Sequence, residues 1–208
     1  MFITLEGPDG SGKTTVVEPL KKHLEDEGYK VLVTREPGGT KISEEIRNVL
    51  LKKRDEKMDP WTEALLFIAS RKQHLVDVII PALKDGYIVI CDRYMDSTSA
   101  YQGAGRGLKV NDIDEVQHIV LGEWVPNLTL YFNVDIDVAN ARMNTRDESK
   151  NRLDEENNDY KKKVISGYKD LIKKHPERFE VVDANKDKDN VLKQAIRIVD
   201  EKLKNEKK

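Results

Sequence analysis

The 208 residues carry 36 Lys+Arg against 38 Asp+Glu, a formal charge of −2, and charged side chains make up 36% of the chain. This balance excludes a general polyanion-binding surface and gives no net attraction to nucleic acid or an anionic membrane. The single cysteine excludes an internal disulfide framework and a multi-cysteine zinc site, and it fits a reducing cytoplasm.

The length suffices for a core that needs no staple. No export signal is visible, and no apolar run approaches the ~18 residues that span a bilayer, so the chain reads as a soluble protein. Short β-branched runs at Phe2–Leu5, Val31–Thr34, Tyr87–Cys91, Leu128–Val134 and Phe179–Val182 read as strands. They are apolar without alternation, as strands covered on both faces are, and long helical stretches separate them, which fits parallel crossovers. The expected fold class is α/β: a five-stranded parallel sheet flanked by helices, with one domain over residues 1–208. Helix ends are marked by Gly28, which closes the helix begun near Lys13, by the N-cap pair Asp59-Pro60, and by Asn111. Residues Asn144–Asn158 hold charged and amide side chains almost exclusively and should form a mobile lid, while Lys202–Lys208 should fray into solvent. Cys91 reads as a buried, inert thiol, Met95 and Trp124 as packing residues, and the four histidines as ordinary surface or partly buried residues without ligand spacing.

The strongest chemical signal is Gly7-Pro8-Asp9-Gly10-Ser11-Gly12-Lys13-Thr14, a complete G-x-x-x-x-G-K-T between a strand and a helix, followed by Thr15. Its glycines let backbone N–H groups converge on phosphate oxygens at the positive end of a helix. Lys13 reaches the β and γ oxygens, and the Thr14 hydroxyl suits Mg²⁺. Asp92, at the carboxyl end of the run Tyr87–Cys91, supplies the acid that would complete a metal site. A guanine reader of the N-K-x-D type fails at Asn185-Lys186-Asp187-Lys188, which argues against a switch GTPase. Arg35, Arg47, Arg71 and Arg93 fall where they would gather on one side of the sheet, and their planar forks suit the two charges of a nucleoside monophosphate.

With these motifs in place, the sequence resembles thymidylate kinase in its bacterial form. The resemblance rests on Phe2–Thr15, the run Thr34–Thr40 (TREPGGT), Phe67–Arg71, Cys91–Gln102 (CDRYMDSTSAYQ) and Val164–Tyr168. It implies phosphorylation of dTMP by ATP and Mg²⁺, on the way to dTTP, in a homodimer whose partners are small molecules rather than nucleic acid or membrane. It further implies that Asp9 meets the acceptor's 3′-hydroxyl, that Arg35 and Arg93 hold its phosphate, and that Phe67 stacks on thymine. Arg71 should bond the base's carbonyl edge, with Ser97, Thr98 and Gln102 completing the pocket and Tyr101 against the sugar. Members of the family divide between those with an arginine in the phosphate loop and those that deliver one from the lid. Pro8-Asp9-Gly10-Ser11 holds none, so Arg146 or Arg152 is expected to be catalytic, with Arg142 entering the nucleotide site from the preceding helix. The alternatives are a related kinase acting on another deoxynucleotide or a nucleoside, and a nucleotide sensor without an acceptor pocket.

Overall fold

The computed structural model describes residues 1–145, 152–153 and 155–206. Five parallel strands, β1 (Phe2–Glu6), β2 (Val31–Arg35), β3 (Ile88–Asp92), β4 (Leu128–Asn133) and β5 (Phe179–Asp183), lie in the order β2-β3-β1-β4-β5. The helices are α1 (Lys13–Asp26), α2 (Lys41–Leu51), α3 (Pro60–His74), α4 (Ile80–Lys84), α5 (Met95–Thr98), α6 (Val110–Leu121), α7 (Ile136–Asn144), α8 (Asn158–Lys174) and α9 (Lys188–Glu206). π-helical turns extend α3 over Leu75–Ile79 and α5 over Ser99–Gly105.

Both faces of the sheet are covered, which accounts for the unbroken apolar strands. Ile3 and Leu5 of β1 join Val16, Leu20 and Leu24 of α1 and Val199 of α9, whereas Phe2 points the other way, toward Val89, Leu75 and Leu121. A third cluster joins Tyr131 of β4 and Phe179 of β5 to Tyr160, Val164 and Tyr168 of α8. The chain leaves β1 toward β2 on one side and leaves β3 toward β4 on the other. The carboxyl ends of β1 and β3, paired at Leu5 and Asp92, therefore flank a crevice at a topological switch point.

The strands lie within a residue of their expected bounds, and Asp92 is the last residue of β3 itself. Gly28 follows α1 with φ 86°, and Asp59 caps α3 by accepting from the N–H groups of Trp61 and Thr62. Three expectations change. Helix α6 starts at Val110, with Asn111 already inside its first turn and Lys109 at the cap without a side-chain bond. The last helix runs to Glu206 with Leu203 buried against the core, where the sequence predicts fraying from Lys202 onward, and residues 207–208 lie outside the described residues. His74 is fully buried, its Nδ1 3.0 Å from Glu36 Oε1 and its Nε2 2.6 Å from the Thr34 hydroxyl. Of the expected lid, Asn144 closes α7 and Asn158 opens α8, and residues 146–151 and 154 lie outside the described residues.

Candidate active site

The phosphate loop follows from local backbone chemistry. Gly10, at φ 81°, packs so closely on α7 that a Cβ would collide with the Ala139 carbonyl. Gly12 stands at the N-cap of α1 with φ 89°, no side-chain cap and open space where a Cβ would be. Gly12 thus leaves the positive end of α1 uncrowded, a ready site for phosphate, while the Thr15 N–H turns back to the Gly12 carbonyl at 3.1 Å. Lys13 folds back over this loop, donating to the carbonyls of Gly7 and Pro8 at 3.0 Å each and to the Ser11 hydroxyl at 3.3 Å. Burial, reinforced by the positive charge of Arg93, pulls its ammonium down to about 8. Anionic phosphate oxygens arriving at the loop would restore that charge.

Thr14 donates its hydroxyl to Asp92 Oδ2 at 3.4 Å, while Asp92 Oδ1 is buried with no hydrogen-bond partner among the described residues. A hydroxyl beside a carboxylate with an orphaned oxygen is a donor set that fits Mg²⁺. Next along the chain, Arg93 holds the left-handed backbone at φ 71°, the one non-glycine to do so among the described residues. Such a conformation is costly and turns its guanidinium into the crevice. There it donates to Asp9 Oδ1 at 2.7 Å, the Tyr101 hydroxyl at 3.0 Å and the Ser97 hydroxyl at 3.1 Å, and it lies over the Tyr101 ring. Burial works against ionisation of Asp9, but the charges of Arg93 and Lys13 outweigh it and hold its carboxyl at about 2.

Two cavities meet at the loop. One, of about 430 Å³, is lined by Asp9, Thr14, Arg35, Arg47, Phe67, Asp92, Arg93, Ser97, Thr98, Tyr101 and Gln102. Arg35 and Arg47 both donate to the Pro37 carbonyl, at 2.8 and 2.9 Å, which brings the two cations to one edge of it. The other, of about 420 Å³, lies across the loop between Gly10, Ser11, Gly12, Thr15 and Arg142 on one side and Lys186, Asp187 and Val191 on the other. Arg142 is fixed there by donating to the Ala184 carbonyl at 2.9 Å.

Two expected residues stand elsewhere. Arg71, 1% exposed, sits one layer behind the first cavity. It donates to Glu36 at 2.7 Å, to Thr98 at 2.9 Å, to Gln117 at 2.6 Å and to the Tyr94 carbonyl at 2.9 Å. The Thr98 hydroxyl, as acceptor from Arg71, keeps its own proton to donate into the cavity. Arg152 donates to the Leu50 carbonyl at the end of α2 and pairs with Glu63 at 2.6 Å. Arg146 lies outside the described residues.

Three buried carboxylates stand outside the expected site residues but behind the cavity, besides Asp96, which pairs with Arg178. Glu6 accepts from the Tyr94 N–H at 2.7 Å and from the hydroxyls of Ser97 and Tyr168 at 2.6 and 2.8 Å. Burial, with the Asp96 charge adding to it, pushes its carboxyl up to about 7. Glu36 joins Arg71 to His74, and Glu63 receives Gln102, Arg106 and Arg152. The available signal was periodic: Glu63, Phe67 and Arg71 recur every four residues and so share one face of α3.

A parallel sheet whose first strand runs into a lysine-bearing phosphate loop, with an arginine-lined cavity beside it, defines a P-loop kinase fold. The comparisons narrow this class. Residues 5–195 match the family model described as Thymidylate kinase. The thymidylate kinase of Mycoplasma capricolum subsp. capricolum is 56% identical over 100% of this chain and 98% of its own, and that of Bacillus velezensis 44% identical over 98% and 97%. The crystal structure of thymidylate kinase from Ehrlichia chaffeensis superposes with a TM-score of 0.77 at 37% identity, covering 96% of this chain and 98% of that one. The chain belongs to the thymidylate kinase family.

Proposed function

We propose that the chain transfers the γ-phosphoryl group of ATP to the phosphate of dTMP, giving ADP and dTDP for deoxynucleoside triphosphate synthesis. The observation that carries this reading is the first cavity, which Phe67, Thr98 and Gln102 line together with Arg35 and Arg93. An aromatic face with a few fixed hydrogen-bonding groups suits a pyrimidine, and two arginine forks suit a phosphate. Tyr101, stacked on Arg93, stands where a deoxyribose would lie, and Asp9 is the acceptor for its 3′-hydroxyl. ATP is assigned to the loop and the second cavity, with Lys13 and the first-turn N–H groups on its phosphates and Arg142 beside its base.

Thr14 and Asp92 would hold Mg²⁺, which when bound neutralises charge on the transferring phosphates. The acceptor oxygen is already anionic near neutral pH, so the chain has no strong base to supply. Its residues act by alignment and by neutralising charge as it develops. Arg93 is placed to hold the acceptor phosphate. Because Arg152 is engaged with Glu63, behind Gln102, Arg146 is the lid arginine we assign to the transition state. A homodimer is supported by the exposed apolar side chains Val49, Leu65 and Val76 on the neighbouring α2 and extended α3, and Ile119 on α6 is 81% exposed. Among the described residues no helix is long and apolar enough to cross a membrane, which fits the cytoplasmic location we assign. An ADP-release assay with dTMP, dUMP, dCMP, dGMP and thymidine tests the reading. Turnover should be fastest with dTMP, and faster turnover of a nucleoside or a purine nucleotide would overturn it.

A further inference from the structure

Gln102 lies on the π-helical turn after α5, is 1% exposed, and reaches the acceptor cavity beside Phe67 and Thr98. A glutamine at a base edge can present either its carbonyl or its NH₂, and the two read opposite patterns. The carbonyl accepts from a ring N–H, as thymine and uracil carry at N3. The NH₂ donates to a bare ring nitrogen, as cytosine carries at N3. Nothing in Gln102 itself decides between them. Its neighbour does.

Gln102 Nε2 donates at 2.9 Å to Oε1 of Glu63, in the first turn of α3. Glu63 is itself fully buried, and a carboxylate oxygen can only accept, so the NH₂ must face Glu63 and Oε1 of Gln102 is left for the ligand. Two cations keep Glu63 in that form: Arg106 donates to both of its oxygens, at 3.0 and 3.2 Å, and Arg152 pairs with it at 2.6 Å. Burial alone would raise the Glu63 carboxyl, but the hydrogen bonds from Arg106 and Gln102 and the two arginine charges bring it below the usual range. Arg106 is also stacked over the Tyr160 ring, its guanidinium 4.7 Å from the centroid, so the carboxylate cannot easily swing away.

We infer that Glu63 is a positioning residue for base selection: by capturing the NH₂ of Gln102 it presents the amide carbonyl to the acceptor base and selects pyrimidines that carry a ring N3–H over those that do not. With a cytosine-type base two acceptors would oppose each other in a buried site, the kind of unpaired polar group that penalises a wrong ligand heavily. The inference rests on the proposed seating of the base against Gln102.

The test compares kcat and KM for dTMP, dUMP and dCMP in the full chain and its variants. Glu63→Gln can donate to Gln102 and lets the amide turn round. The preference for dTMP over dCMP should then fall by about tenfold or more, while the preference for dTMP over dUMP, which share the N3–H, stays within about twofold. The change should appear in KM for the acceptor and leave KM for ATP unmoved. Glu63→Asp keeps the charge for both arginines but withdraws the oxygen from Gln102, and it should show the same loss should the glutamine variant not fold. Gln102→Leu separates the two levels of the argument. If it narrows the dTMP over dCMP preference and neither Glu63 variant does, Glu63 does not orient Gln102 and the inference is overturned, with the reading of Gln102 intact. If Gln102→Leu leaves that preference unchanged, both fall.

Discussion

The two cavities flanking the phosphate loop are built from different materials. On the side we assign to the donor, the lining takes in the loop residues Gly10, Ser11 and Gly12 with Thr15, Lys186 and Arg142, and Arg142 is held by carbonyl oxygens. On the side we assign to the acceptor, three lining side chains are backed by buried ionic groups: Thr98 by Arg71 and Glu36, Gln102 by Glu63, Ser97 by Glu6. Phosphates are alike in every nucleotide and can be met by N–H groups at a helix start, whereas one base must be told from another by side chains held in a single orientation. The acceptor side thereby ties recognition to stability. Removing one of its buried charges leaves the partner uncompensated, and removing a donor-side group costs binding alone.

Arg71→Ala tests that contrast most severely. It leaves Glu36 buried and without its cation, so we expect a loss of roughly 3–5 kcal/mol in denaturant unfolding, together with weaker dTMP binding. Unchanged stability would show that the layer behind the acceptor cavity is not holding it. Next, Lys13→Ala should lower turnover by at least about 10²–10³-fold with the circular dichroism of the folded protein retained, because its hydrogen bonds go to two loop carbonyls and the Ser11 hydroxyl, and Asp9 keeps its direct ion pair with Arg93. Arg146→Ala should resemble it in kcat, while Arg152→Ala should act mainly on the acceptor KM. Equal kcat losses in both would place Arg152 at the phosphate after all.

Glu6 gives a comparison within the acceptor side. Its carboxyl is held near 7 in the folded protein against an ordinary value of 4.5, so the folded chain binds the proton more tightly than the unfolded one. Stability from this group is therefore lost as the pH rises from about 4.5 through about 7 and is constant above, with a slope of at most about 1.4 kcal/mol per pH unit. Glu6→Gln should flatten that slope in urea titrations, since the Ser97 and Tyr168 hydroxyls can turn to accept. A slope that survives the substitution belongs to another group. The smallest effect is expected from Arg142→Ala: a severalfold rise in KM for ATP, no change for dTMP and a melting temperature within about 1–2 °C of the parent, since Arg142 is only half-buried and bonds to backbone carbonyls rather than to a buried charge.

By itself the sequence determined the sheet, the loop and the chemistry. Apolar β-branched runs separated by helical lengths leave few arrangements besides a covered parallel sheet. The Gly7–Thr14 spacing works through backbone geometry that is local to a strand, a turn and a helix start. Asp9, Asp92, Arg93, Phe67 and Gln102 were legible because each belongs to a short contiguous motif, and the structure gathers all of them at one crevice. What only the tertiary structure decided lies in the layer behind. Glu36 meets Arg71 across 35 positions of chain, Glu63 meets Gln102 across 39, and Glu6 meets Tyr168 across 162. The four-residue spacing puts Glu63 on the face of α3 that carries Phe67 and Arg71, but it does not tell an acid that will be buried and paired from one that will face water. The same holds for Arg152, which the sequence offered as a catalytic cation and the fold places on Glu63. Phosphate recognition depends on backbone conformation, which neighbouring residues dictate, whereas burial and ion pairing depend on which distant side chains the folded sheet brings together.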